Sequence, residues 1–143
     1  MAIFNKFNDF AEQIGLGVIN LDTDVLKVYL SNQLPVVTDT AYDITVGTTG
    51  PAEIAATATG YTVGGEDVTG VWAENPAGTG ELTGTDVTWT AGAADWGAFQ
   101  YVVLYDVTAA NRLIGWWDKG SSVTLANGES FTVNFAATIL TIT

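Results

Sequence analysis

The pattern of apolar and polar positions changes character along the chain. Near the start, within "FNKFNDFAEQIGLG", Phe7, Phe10, Ala11 and Ile14 recur at spacings of three and four. That spacing predicts one apolar stripe on a helix. Asp9 and Glu12 lie toward its start, where they suit the helix dipole, and Gly15 and Gly17 end it. At about a dozen residues such a helix is not stable alone. It must dock its phenylalanine stripe, either on its own domain or on a neighbouring subunit.

Beyond this segment the pattern turns to short β runs. Val25 to Ser31, "YDITV" (42–46), Val71 to Glu74 and Asp86 to Thr90 read as strands. Gln33 to Thr59 is otherwise rich in Thr and Ala, with Pro35 and Pro51, and reads as long connections. "PAGTGELTG" (76–84) reads as a loop or a weakly paired edge. The last third is the clearest: "AFQYVVLYD", "RLIGWWD", "SSVTL", "ESFTVNF" and "TILTI" predict five strands in quick succession. "LANGE" between the third and fourth predicts a hairpin loop, with Asn127-Gly128 supplying positive φ. Crossover helices for a doubly wound fold are missing. The expected fold is all-β, an antiparallel β-sandwich or jelly roll with a short N-terminal helix. It forms a single domain over 1–143, with 1–17 as an N-terminal helical arm.

Trp116 and Trp117 are adjacent, so in a regular strand they point to opposite faces. A hairpin around Val107 to Asn111 that sets Asp106 opposite Arg112 pairs opposite charges. Carried on without interruption, that register sets Leu104 against Ile114, Val102 against Trp116, and Tyr101 against Trp117. Trp116 is then expected in the core. Tyr101, Tyr105 and Trp117 then share an outer, aromatic face suited to an interface. With Phe7, Phe10 and Ile14 of the helix, these are the candidate interface residues.

Composition narrows the function classes. Sixteen acidic residues against four basic ones (Lys6, Lys27, Arg112, Lys119) give a net charge of −12. Such a chain is repelled by nucleic-acid phosphates and by anionic membrane surfaces. Neither is expected as a partner. The chain contains no histidine and no cysteine, so Ser-His-Asp and Cys-His catalysis and disulfides are excluded. The common zinc and copper ligand sets are missing as well. Ser121 and Ser122 near Lys119 form no motif. Asp22 and Asp24 in "DTD", and Glu66 and Asp67 in "GED", could offer oxygens to calcium, but the first lacks the glycine and distal glutamate of an EF-hand loop. No cofactor, no metal site and no enzymatic activity are expected. Neither a secretory signal nor an apolar run long enough to span a membrane is apparent. The expected place of synthesis is a host cytoplasm. Five Trp, five Tyr and six Phe leave aromatic surface as the main candidate for recognition.

Two stretches carry a family resemblance. "FNKFNDFAEQIGLGVINLDTDVLKVYLSN" resembles the opening of a group of small tailed-bacteriophage virion proteins. "VTWTAG", followed by "FQYVVLYDVTAANRLIGWWDKGSSVTLANGESFTVNF" and a final short strand, resembles the close of the same group. The resemblance spans about two-thirds of the chain and omits roughly 38–85. It implies a non-enzymatic virion structural protein, a capsid decoration or cement protein stabilising the outer shell. The partners it implies are the major capsid protein or other virion proteins. Self-association is expected too, with a trimer favoured. The alternative is a glycan- or receptor-binding β-sandwich of a phage tail or fibre.

Overall fold

A computed structural model describes residues 2–42, 49–55, 60–76 and 78–143. The predicted "YDITV" strand runs into 43–48 and lies outside the described residues, apart from Tyr42. The fold is all-β with one short helix. The elements in chain order are β1 (Phe4–Lys6), α1 (Asn8–Gly15), β2 (Leu26–Ser31), β3 (Glu66–Val68), β4 (Gly70–Glu74), β5 (Gly80–Gly84), β6 (Val87–Thr90), β7 (Phe99–Asp106), β8 (Arg112–Val123), β9 (Ser130–Val133) and β10 (Thr138–Ile142). They form an antiparallel five-stranded sheet ordered β1-β8-β7-β2-β3, a three-stranded sheet ordered β10-β5-β4, and a pair β6-β9.

The central strands of the large sheet explain its position. β2, β7 and the first half of β8 are buried at nearly every position. Strands buried on alternate positions have one wet face; strands buried throughout are covered on both. One face meets the two smaller sheets in a single apolar cluster that joins Leu26, Val28, Leu30, Val102, Leu104 and Ile114 to Leu82, Trp89, Val133, Ile139 and Leu140. This is the sandwich core. The other face carries Tyr29, Tyr101, Val103, Tyr105, Leu113 and Trp116, packed with Phe7 and Tyr42. It lies beneath part of the long connection from β2 to β3.

Several local expectations are corrected. "SSVTL" is not a separate strand, because β8 continues to Val123. β8 and β9 do not form a hairpin: β9 pairs with β6, Trp89 opposite Phe131. At the turn between them Gly128 alone takes positive φ, while Asn127 does not. "PAGTGELTG" holds the central strand of the three-stranded sheet, with Leu82 fully buried. Its glycines allow close approach: a Cβ on Gly80 would lie 2.2 Å from the Trp72 ring.

The N-terminal segment is not an arm. Phe4–Lys6 pairs antiparallel with β8, Asn5 opposite Trp116, and shortens the helix to eight residues. Phe7 sits at the N-cap, fully buried against Trp116 with ring centroids 4.5 Å apart. Phe10 enters the sandwich core. Asp9 receives an ion pair from Arg112 at 3.1 Å and a hydrogen bond from Gln13 at 3.0 Å, tying the first turn to the start of β8.

Candidate functional site

The β7–β8 hairpin carries the candidate site residues and opens as the sequence predicts. Asp106 faces Arg112 and Tyr105 faces Leu113. The register then slips by one residue on β8, so that Leu104 faces Gly115, Val103 faces Trp116 and Val102 faces Trp117. Ile114 is the extra residue of a β-bulge. Beyond it every side chain changes sides relative to an uninterrupted ladder. The expected assignment of the two tryptophans is therefore reversed. Trp117 belongs to the sandwich core, against Phe4 at 5.1 Å and Phe135 at 5.4 Å. Trp116 belongs to the opposite face, with Phe7 and the tyrosines. Neither faces solvent, at 8% and 5% relative exposure for Trp116 and Trp117.

Of the six residues expected to form a contact surface, Phe7, Phe10, Tyr101, Tyr105 and Trp117 are buried within the subunit. Ile14 alone is half-buried, at a hollow of about 350 Å³ between α1 and β10. The structure brings Phe7, Tyr101 and Tyr105 together on one face and Phe10 and Trp117 into the core cluster. The six do not form one patch.

The tyrosine face is organised by Glu53, which sequence reasoning passed over. Tyr42 and Tyr61 each donate a hydroxyl hydrogen bond of 2.6 Å to the Glu53 carboxylate, one to each oxygen. The Gly64 N–H donates to the same group at 2.9 Å. The Tyr61 hydroxyl also accepts the Leu30 N–H at 3.1 Å. Tyr105 donates to the Gly64 carbonyl and Tyr29 to the Pro51 carbonyl, both at 2.8 Å. Tyr42 stacks on Tyr105 with centroids 4.7 Å apart. Burial raises the pKa of Tyr29, Tyr42 and Tyr61, and the neighbouring Glu53 charge adds to it. Burial first, then Glu53 and Asp67, push Tyr105 up to about 12. These phenols stay protonated and donate at ordinary pH. All five tyrosines are buried or pack against a buried sheet face, and a buried hydroxyl needs a partner.

A second polar feature closes the hairpin end. Asp106 is fully buried, and its Oδ1 accepts the Ala109 N–H at 2.9 Å. Its Oδ2 is buried with no conventional donor, facing the Asp24 carboxyl group. Burial, together with this second carboxyl, raises the Asp106 pKa to about 6. Asp24 itself accepts the Asn20 N–H at 2.7 Å, and Asp22 donates its N–H to Asn20, so "DTD" builds a turn. No group of three or more metal-ligating side chains occurs among the described residues.

A hollow of about 520 Å³ lies between β8 and β9. Its floor is Val102, Trp117, Val133 and Phe135; Lys119 sits at its rim, 5.3 Å from the Phe131 ring centroid. Fold and site together define an all-β sandwich whose large sheet is closed on both faces, with aromatic and tyrosine packing on the outer one. No protein-family model matches this chain, and neither does a curated protein or a solved structure.

Proposed function

We propose that the protein is a non-enzymatic structural component of a tailed-phage virion, serving as a capsid decoration protein. One observation carries the reading. The two stretches that resemble phage virion proteins meet in one unit: the first supplies β1, α1 and β2, the second β6, β7, β8 and β9, so that together they provide four neighbouring strands of the large sheet and the β6-β9 pair that packs on it. The segment outside the resemblance supplies the β2–β3 connection and the added strands β3, β4 and β5. The resemblance thus maps onto most of the large sheet and part of its inner cover, and the divergent part onto the rest of the cover and the periphery. A net charge of −12 favours the outside of a shell over contact with packaged DNA.

The test is to purify particles, identify their proteins by mass spectrometry, and label the particle surface. The chain is expected in stoichiometric amounts and labelled on intact particles. Its absence from particles, or labelling only after disruption, would overturn the reading. The second reading, a glycan- or receptor-binding module of a tail or fibre, is favoured by the aromatic cleft beside Lys119. A glycan array separates the two, since a decoration protein gives no specific sugar signal.

A further inference from the structure

The two edges of the five-stranded sheet differ in charge. β1, at one edge, reads Phe4-Asn5-Lys6, and β3, at the other, reads Glu66-Asp67-Val68. Of the four basic residues, Arg112 pairs with Asp9 and Lys27 with Asp67. Lys6 and Lys119 make no ion pair among the described residues, and both lie at the β1 end. Lys6 is exposed on β1, and Lys119 is two residues beyond Trp117, the partner of Phe4. The neighbouring Asp118 is occupied by Gln100 and the Gly120 N–H, at 2.9 and 2.7 Å. At the other edge, Asp67 remains largely exposed despite its 3.0 Å contact with Lys27, and Glu66 enters no ion pair among the described residues.

We infer that the β1 edge of one copy docks on the β3 edge of a second copy, in a head-to-tail contact. β1 and β3 are the outermost strands of the sheet, and edge strands are templates for pairing. A two-fold contact would set β1 against β1, or β3 against β3, and so oppose like charges. A head-to-tail contact sets Lys6 against Glu66 and Asp67. All neighbours in the sheet are antiparallel. With five strands, the two outer ones therefore run the same way. Continuing the sheet with the same face inward makes the new β3–β1 pair parallel. Apolar area comes from the hollows beside β1, which include Phe4 and Ala2. Complementary charge selects the register and partner, while the apolar hollows supply most of the affinity. Such contacts close into a ring or run on as a filament, according to the rotation between copies.

The contact is tested by sedimentation of the full chain at low and high salt. The wild type is expected to self-associate, less so at high salt. Lys6→Glu alone, and Glu66→Lys with Asp67→Lys, should each weaken association by at least about tenfold. Circular dichroism checks that both variants stay folded, and Lys6→Gln serves if the reversal does not fold. In a one-to-one mixture of the two reversed proteins, each β1 edge finds an oppositely charged β3 edge only on the other protein, so association should recover as alternating copies of the two. A wild type that stays monomeric at high concentration would make Lys6 a guard against edge pairing and overturn the inference. So would reversed variants that assemble like wild type, or a mixture that fails to pair. Particle binding is scored separately, so a failure here leaves the virion reading standing, and the converse also holds.

Discussion

The two faces of the five-stranded sheet are both dry, yet they are covered in different ways. The inner face meets other sheets through a mainly aliphatic and aromatic cluster, in which Tyr61 alone of the tyrosines takes part. The outer face meets chain connections through tyrosines that pack their rings, with Tyr42, Tyr105 and Tyr29 spending their hydroxyls on Glu53, Gly64 and Pro51. Sheet-on-sheet packing needs only shape and apolar area. A covering loop has unpaired backbone groups of its own, so it needs polar anchors. The comparison teaches that an aromatic, hydroxyl-rich sheet face is not by itself a sign of an external interface. It is equally the signature of a face covered by its own loops.

The N-terminal segment touches both faces, so its removal gives the largest expected effect. Deleting residues 1–14 takes away β1, Phe7 and Phe10 together. It should abolish cooperative unfolding, as seen by calorimetry. A deletion that still melts cooperatively would mean that the segment is the separate arm the sequence suggested.

The tryptophans compare the faces directly. Trp117→Ala and Trp116→Ala should each cost about 3–5 kcal/mol in denaturant melts, as large core truncations do. A Trp117→Ala variant of nearly wild-type stability would place that ring outside the core and break the comparison.

Two smaller effects belong to the polar anchors. Glu53→Ala strands two tyrosine hydroxyls and the Gly64 N–H, and should cost about 2–3 kcal/mol. Hydrogen exchange should show the loss as faster opening around Tyr29 and Tyr105 rather than around Leu82 and Trp89. Uniform acceleration would mean the two coverings are not separable.

The smallest effect depends on pH. The Asp106 pKa lies near 6 in the folded chain, above the ordinary 3.8. The folded state therefore binds the proton more tightly. The stability this contributes is fully present below about pH 4 and is lost as pH rises through 6. Asp106→Asn cannot ionise, keeps an oxygen for the Ala109 N–H and gains a donor toward Asp24. It should match the wild type near pH 4 and exceed it at pH 7 by about 2–3 kcal/mol. Parallel pH dependences for the two proteins would show that the carboxyl pair holds no proton.

Much of this architecture was legible in the sequence. β2, β4, β6, β7, β9 and β10 follow from β-branched and aromatic runs between turn residues, and the Asp106–Arg112 closure follows from charge. The helix was visible from its phenylalanine spacing. What failed was register. Gly115 held the missing clue, because an isolated glycine within a strand pattern often marks a bulge or a close backbone approach. Here both apply, and a Cβ on Gly115 would lie 2.2 Å from the Phe4 ring. One inserted residue was enough to exchange the two tryptophans. Glu53 was illegible for another reason. Its partners, Tyr42 on one side and Tyr61 and Gly64 on the other, come from two separate stretches of chain, and no local pattern announces a group whose role exists only after they meet.

The pairing of β1 with β8 also has a consequence for synthesis. Asn5 meets Trp116 across 111 residues. A ribosome releases the first strand and the phenylalanines of the helix long before their partners are made. Domains dominated by such distant pairings fold on slow, millisecond-to-second timescales. Through most of translation, Phe4, Phe7 and Phe10 are exposed on a nascent chain. Asp9 and Glu12 lie beside these phenylalanines in the sequence, and the chain's excess of acidic residues disfavours association of unfinished copies during that interval.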